Sequence, residues 1–191
     1  MAGTPKPLSG RTIAFLATNG VEQIELTSPW EAIEAAGGTP VLVSPQADSI
    51  TAMNADWNHG DSFDVDVQVL AAQAKDYHGL VLPGGTLNAD ALRGDVDAVA
   101  FVKAFFQQHK PVAAICHAPW ILINAGVAEE RELTSYKTLE ADLKNAGAHW
   151  RDAEVVVDEA LVTSRNPGDL PAFNAALVEA FGESRRTGQE N

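Results

Sequence analysis

Residues 112–127 read VAAICHAPWILINAGV and hold the chain's only cysteine, Cys116, with His117 directly after it. Pro111, Val112, Ala113, Ala114 and Ile115 form a compact run of small and branched residues, the pattern of a short buried strand. Pro119, Trp120, Ile121 and Leu122 then open an apolar helical pattern, with Pro119 in the first turn, where a missing N–H costs nothing. A nucleophile at a sharp strand-to-helix turn is displayed at the carboxyl end of a sheet, close to helix N-terminal amides. The turn is tight, so the residues two before and two after must be small, and they are Ala114 and Ala118. The helix end is expected to lower the thiol pKa and to supply oxyanion donors. A lone thiol is more often a buried structural residue; the turn pattern outweighs that here.

Outward from this elbow, strand and helix patterns alternate. Strands are expected at 13–17, 40–43 and 79–82, the last ending in Pro83-Gly84-Gly85. Helices are expected from 22 or 29 to 36, closed by Gly37-Gly38, and over 97–108, 139–146 and 170–181. Segments 155–157 and 161–163 read as a hairpin, and 48–68 as polar hairpin excursions turning at Asn58, His59 and Gly60. The polar tail from 183 to 191 reads as frayed. Such alternation implies βαβ units and a doubly wound, mainly parallel α/β sheet. Ligands then bind at the carboxyl ends of the strands, where loops carry Glu22 and Glu25, Gly84 and Gly85, and Cys116 and His117.

A chain of 191 residues with 46% hydrophobic and 20% charged residues reads as one soluble globular domain. One cysteine excludes an internal disulfide framework and suits a reducing cytoplasm. The start MAGTPKPLSGRTIAF lacks a signal-peptide core, and no apolar run approaches the roughly 20 residues of a membrane span. A net charge of −13 disfavours nucleic acid or an anionic membrane as partner. His59, His78, His109, His117 and His149 show no metal-ligand spacing, no phosphate-loop pattern occurs, and no metal or cofactor is expected.

Four segments carry a resemblance: GVEQIELTSPWEAIEAAG, LVLPGGTLNADALRGD, PVAAICHAPWILINAGV and EVVVDEALVTSRNPGDLPAF. In this order and spacing the chain resembles the PfpI/ThiJ superfamily, closest to its PfpI branch of intracellular proteases and deglycases, over about 11–181. The resemblance implies a flavodoxin-like sheet with a nucleophile elbow. It implies Cys116 as nucleophile, His117 as the adjacent acid–base residue, and Asp90 as a third triad member able to reach the neighbouring subunit's histidine. The complete site would then straddle a homodimer or larger homo-oligomer. Asp90 also reads as an ordinary helix N-cap before Ala91 and Leu92. By the same resemblance Glu25 sits protonated against the thiol, with Glu22 its rival, and the amides of Gly85 and His117 form the oxyanion hole. Ala118 replaces the family's usual glycine, Trp120 stands where a polar residue is common, and Arg165 matches a position near the site. Glu22, Trp120 and Arg165 are candidate substrate contacts, although Arg165 reads somewhat better as a structural ion pair.

Two functions follow. The first is a stress-protective cysteine hydrolase or lyase acting on glyoxal or methylglyoxal adducts or the free aldehydes, and on peptides. Aldehyde chemistry is weighted above proteolysis because amide cleavage needs a well-placed general acid and a peptide groove. The second is a redox-responsive stress protein or chaperone in which Cys116 is oxidised rather than catalytic. His117 discriminates: a sensor needs no proton shuttle. A class I glutamine amidotransferase shares the elbow but needs a late His-x-Glu pair, and His149 is followed by Trp150 and Arg151.

Overall fold

The computed structural model describes residues 6–183. In chain order its elements are β1 (Thr12–Leu16), α1 (Gln23–Ala35), β2 (Thr39–Ser44), β3 (Ser49–Asn54), β4 (Asn58–Asp64), β5 (Val67–Gln68), β6 (Gly79–Leu82), α2 (Thr86–Gly94), α3 (Val96–Gln107), β7 (Val112–Ile115), α4 (Trp120–Asn124), β8 (Glu132–Leu133), α5 (Glu140–Asn145), β9 (His149–Trp150), β10 (Val155–Asp158), β11 (Leu161–Ser164) and α6 (Leu170–Glu183). Seven strands form one sheet in the order β10-β11-β7-β6-β1-β2-β5. Every pairing in it is parallel except β10 with β11.

The central strands are apolar on both faces because helices cover both. With a period of two, Ile13 and Phe15 of β1, Val81 of β6, and Ala113 and Ile115 of β7 pack toward Phe173, Leu177 and Phe181 of α6 and Ile33 of α1. Ala14, Leu16, Leu80, Leu82, Val112 and Ala114 face the other layer, with Phe101 and Phe105 of α3 and Leu122 of α4. Phe15, Phe105, Phe173 and Phe181 are fully buried; truncating any one to Ala costs about 3–5 kcal/mol. The strand order reverses beside β1 and β6, so the loops after β1, β6 and β7 converge at the sheet's carboxyl edge.

Several elements differ from expectation. Pro29 lies inside α1 rather than opening it. The 48–68 excursion is one hairpin, β3–β4, followed by β5, a short edge strand of the main sheet. Its turn is Ala55-Asp56-Trp57, and Asn58 to Gly60 belong to β4. Ala55 and Asp56 both take left-handed φ, 54° and 61°. The helix at Asp90 begins earlier, at Thr86, after Gly85 as its N-cap. The pair β8–β9 was not anticipated. The expected fraying of 183–191 lies, from residue 184 on, outside the described residues.

Candidate active site

Cys116 sits at the end of β7 with φ 63°, a left-handed conformation rare for a residue with a Cβ and costing about 1–3 kcal/mol. Backbone hydrogen bonds hold it there: Cys116 N–H donates to Ser164 O at 3.0 Å, Ala118 N–H to Ile115 O at 3.0 Å, and Tyr136 N–H to Cys116 O at 2.7 Å. Ala118 packs in the α3–α4 core layer, so the methyl it carries in place of a glycine fills core rather than pocket. The distorted turn lets two neighbouring side chains meet, and His117 Nδ1 lies 3.2 Å from Cys116 Sγ.

Beneath the thiol lies Glu25, in the first turn of α1 and fully buried. Gly84 N–H donates to its Oε2 at 3.0 Å, while Oε1 has no hydrogen-bond partner among the described residues. A side chain on Gly84 would overlap both this carboxyl and the Cys116 Cβ, so only glycine fits. Gly85, at φ 92°, has the Gly20–Glu22 backbone where a Cβ would stand. Asn88 of α2, also fully buried, pins this turn by donating to Pro83 O and Gly84 O at 3.0 Å each and accepting from Thr18 N–H at 2.8 Å.

Burial dominates the electrostatics. It pushes Glu25 from 4.5 up to about 8, helped by the charges of Glu22 and Asp56 and opposed by hydrogen bonds with Cys116 and Gly84. The Cys116 thiol is likewise pushed up, first by burial and then by Glu25; the amides of Gly85 and His117 pull the other way, toward thiolate. The expected helix effect does not prevail: α4 starts only at Trp120 and is five residues long. Burial also lowers the His117 pKa, with Asp56 partly offsetting it. The imidazole is therefore neutral at pH 7 and free to accept a proton.

The far side of His117 was not foreseen in the sequence. Its Nε2 lies 3.4 Å from the hydroxyls of both Thr86 and Thr138, and Tyr136 stacks on its ring with centroids 4.5 Å apart. Asp56, at the β3–β4 tip, accepts from Thr86 N–H at 3.0 Å and from Thr86 Oγ1 at 2.8 Å.

Thus the structure brings together Cys116, His117, Glu25 and the amides of Gly85 and His117. It does not bring Asp90 to His117 within the chain: Asp90 lies mid-helix on exposed α2 surface, paired with Arg93 at 3.0 Å, and is not an N-cap. Glu22 accepts from Ala55 N–H at 2.9 Å and tethers the hairpin tip. Trp120 is half-buried, its indole donating to Asp142 at 2.9 Å beneath the Arg93 guanidinium, 3.9 Å from the ring. Arg165 is held by Asp169 and Asp152, an ion-pair cluster. No group of three His, Cys, Asp or Glu suited to a metal occurs among the described residues, nor any helix long and apolar enough to cross a membrane.

A parallel sheet with a cysteine elbow, a buried glutamate against the thiol and two amides facing the sulfur defines a class of α/β proteins, and comparison with known sequences and structures places the chain in it. The DJ-1/PfpI family model matches residues 11–180. A Bacillus subtilis protein named "Putative cysteine protease YraA" is 41% identical over 164 residues, 86% of this chain and 94% of that one. An uncharacterised Staphylococcus saprophyticus protein is 42% identical over 175 residues, 91% of this chain and 99% of its own. A two-domain protein from Anabaena variabilis with DJ-1/ThiJ/PfpI-like and ferritin-like domains superimposes with TM-score 0.84 at 31% identity, covering 90% of this chain and 48% of that one. Drosophila melanogaster DJ-1beta shares the fold, with TM-score 0.80 at 24% identity over 94% of this chain and 97% of its own. The chain belongs to the DJ-1/PfpI family.

Proposed function

We propose that the protein is a cysteine-nucleophile hydrolase or lyase whose main substrates are small carbonyl electrophiles: glyoxal and methylglyoxal, or their adducts on proteins. The observation that carries this reading is the 3.2 Å contact between Cys116 Sγ and His117 Nδ1. A neutral imidazole at that distance takes the thiol proton as sulfur attacks the carbonyl carbon; the carbonyl oxygen gathers charge against the Gly85 and His117 amides. His117 then returns the proton to that oxygen, so the C–S bond replaces the C=O π bond and Cys116 carries a neutral hemithioacetal. The imidazole within 3.2 Å of the thiol supports base-assisted attack, and supports catalysis over oxidation sensing, which needs no proton shuttle. Peptides are the secondary substrate class, consistent with the name of the Bacillus subtilis relative. The proposal extends to a cytoplasmic, stress-protective role and to a homodimer or larger homo-oligomer in which Asp90 reaches a neighbouring subunit's site.

Turnover of methylglyoxal, a glycated peptide and casein by wild type and Cys116→Ala, side by side, tests the reading. Dicarbonyl or adduct turnover that vanishes in the variant supports it. Casein cleavage alone would reverse the substrate ranking, and equal activity of the two proteins would overturn the mechanism.

A further inference from the structure

We propose that Asp56, acting through the Thr86 hydroxyl, sets the tautomer of His117 from within its own chain, by a route separate from Asp90. The inference rests on reading Cys116 and His117 as nucleophile and base. Asp56 is a positioning residue: its hydrogen bonds go to Thr86 and it acts on His117 only through that hydroxyl.

The hydrogen-bond directions force the argument. Thr86 Oγ1 lies 2.8 Å from Asp56 Oδ2, and a carboxylate can only accept, so the hydroxyl proton is committed to Asp56. The remaining Oγ1 lone pairs face His117 Nε2 at 3.4 Å, a long contact of the kind that tightens once substrate is bound. Toward that nitrogen Oγ1 can therefore only accept, which favours the tautomer with the ring's proton on Nε2. Nδ1 is then left bare against Cys116 Sγ at 3.2 Å, the tautomer that a general base requires. When the thiol proton moves to Nδ1, Nε2 keeps its own, the ring becomes a cation, and the Asp56 charge stabilises it without itself taking a proton. Thr138 Oγ1, also 3.4 Å from Nε2, has a hydroxyl that no carboxylate fixes and imposes no direction.

The hairpin tip is built for this placement. Ala55 and Asp56 hold consecutive left-handed conformations, where Asn-Gly would be unstrained. The strain is restrained by tethers to the site loops: Ala55 N–H to Glu22 Oε2 at 2.9 Å, Met53 N–H to Val21 O at 2.8 Å, and Gly20 N–H to Thr51 O at 2.9 Å. Asp56 also accepts from Thr86 N–H at 3.0 Å, the first amide of α2. Capping alone needs one oxygen and no charge.

Asp56→Asn separates the two roles. Asn tolerates the left-handed backbone and keeps an acceptor for the Thr86 amide. Its NH2 faces Oγ1 as a donor, however, which turns the Thr86 proton toward Nε2 and favours the Nδ1–H tautomer. Nitrogen-15 NMR of the imidazole is expected to show Nε2–H in wild type and Nδ1–H in Asp56→Asn. Alkylation of Cys116 by iodoacetamide at pH 7 is expected to fall at least about tenfold, the equivalent of one unit of base strength. Thr86→Ser should retain both wild-type readouts and Thr86→Val should lose them, which keeps the test decisive if Asp56→Asn folds poorly. An Nε2–H tautomer with unchanged alkylation in folded Asp56→Asn, or Thr86→Val indistinguishable from Thr86→Ser, would overturn the proposal. If the tautomer switches while Cys116 resists alkylation even in wild type, the relay stands and the nucleophile reading fails.

Discussion

At the end of β11, Arg165 donates from Nε to Asp169 Oδ2 at 2.9 Å, from a terminal nitrogen to Oδ1 at 3.0 Å, and from the other to Asp152 at 2.8 Å. At the end of the adjacent β7, paired in register with it, Cys116 faces Glu25, two groups that both become anions. The first corner settles its charge within the fold: the guanidinium holds Asp169 below its ordinary value. The second leaves a carboxyl pushed up to about 8, with one oxygen lacking a hydrogen-bond partner among the described residues and a neutral imidazole close by. Satisfied charge makes structure; charge left unsettled in a buried, amide-lined turn is a place for protons to move. The difference also explains why Arg165, although at the same edge of the sheet, is occupied by the fold.

The largest expected effect falls on the unsettled corner. His117→Ala should lower the rate on whichever carbonyl substrate is turned over by about 10²–10⁴-fold, the usual worth of a positioned proton shuttle. The loss should appear in steady-state kinetics of protein whose circular dichroism shows it folded. A smaller loss would mean that the thiol ionises without His117.

The two corners should respond to pH with opposite signs. Glu25 is raised in the folded state, so the stability tied to it is complete below its unfolded value of 4.5 and is lost as pH rises through about 8. Glu25→Gln should flatten this decline, by about 2–5 kcal/mol between the two limits, in urea unfolding measured from pH 4 to 9. Asp169 is lowered, so its contribution is present above its ordinary 3.8 and lost as pH falls below that. Asp169→Asn should cost about 1 kcal/mol at pH 7, discounted for the solvent that reaches Arg165, and leave turnover unchanged. Turnover that fell with Asp169→Asn would show that the settled corner takes part in the chemistry.

The elbow could be read from sequence because its logic is local: a strand apolar on both faces, small residues at 114 and 118, and adjacent Cys116 and His117. β1, β6 and β7 were legible for the same reason. The hairpin turn was expected around Asn58 to Gly60 because those are ordinary turn residues, but tertiary tethers hold the strained Ala55-Asp56 pair instead. Thr86, Asp56, Tyr136 and Thr138 come from three separate segments and meet only in the fold; no spacing relates them. A helix terminus lowers a nearby thiol pKa, but α4 starts four residues beyond Cys116 and burial beside Glu25 pushes the other way. Asp90 was placed by resemblance, and within one chain its carboxylate engages Arg93.

His117, 3.2 Å from the sulfur, takes the proton of a thiol that burial holds neutral. Iodoacetamide alkylation of Cys116, followed from pH 5 to 10 in wild type and His117→Ala, tests it most directly. The wild-type rate should rise as His117 loses its proton, below pH 6.5, and then level off through neutral pH. The variant should react appreciably only in alkaline solution, as the bare thiol ionises. Superimposable profiles for the two proteins would contradict the account.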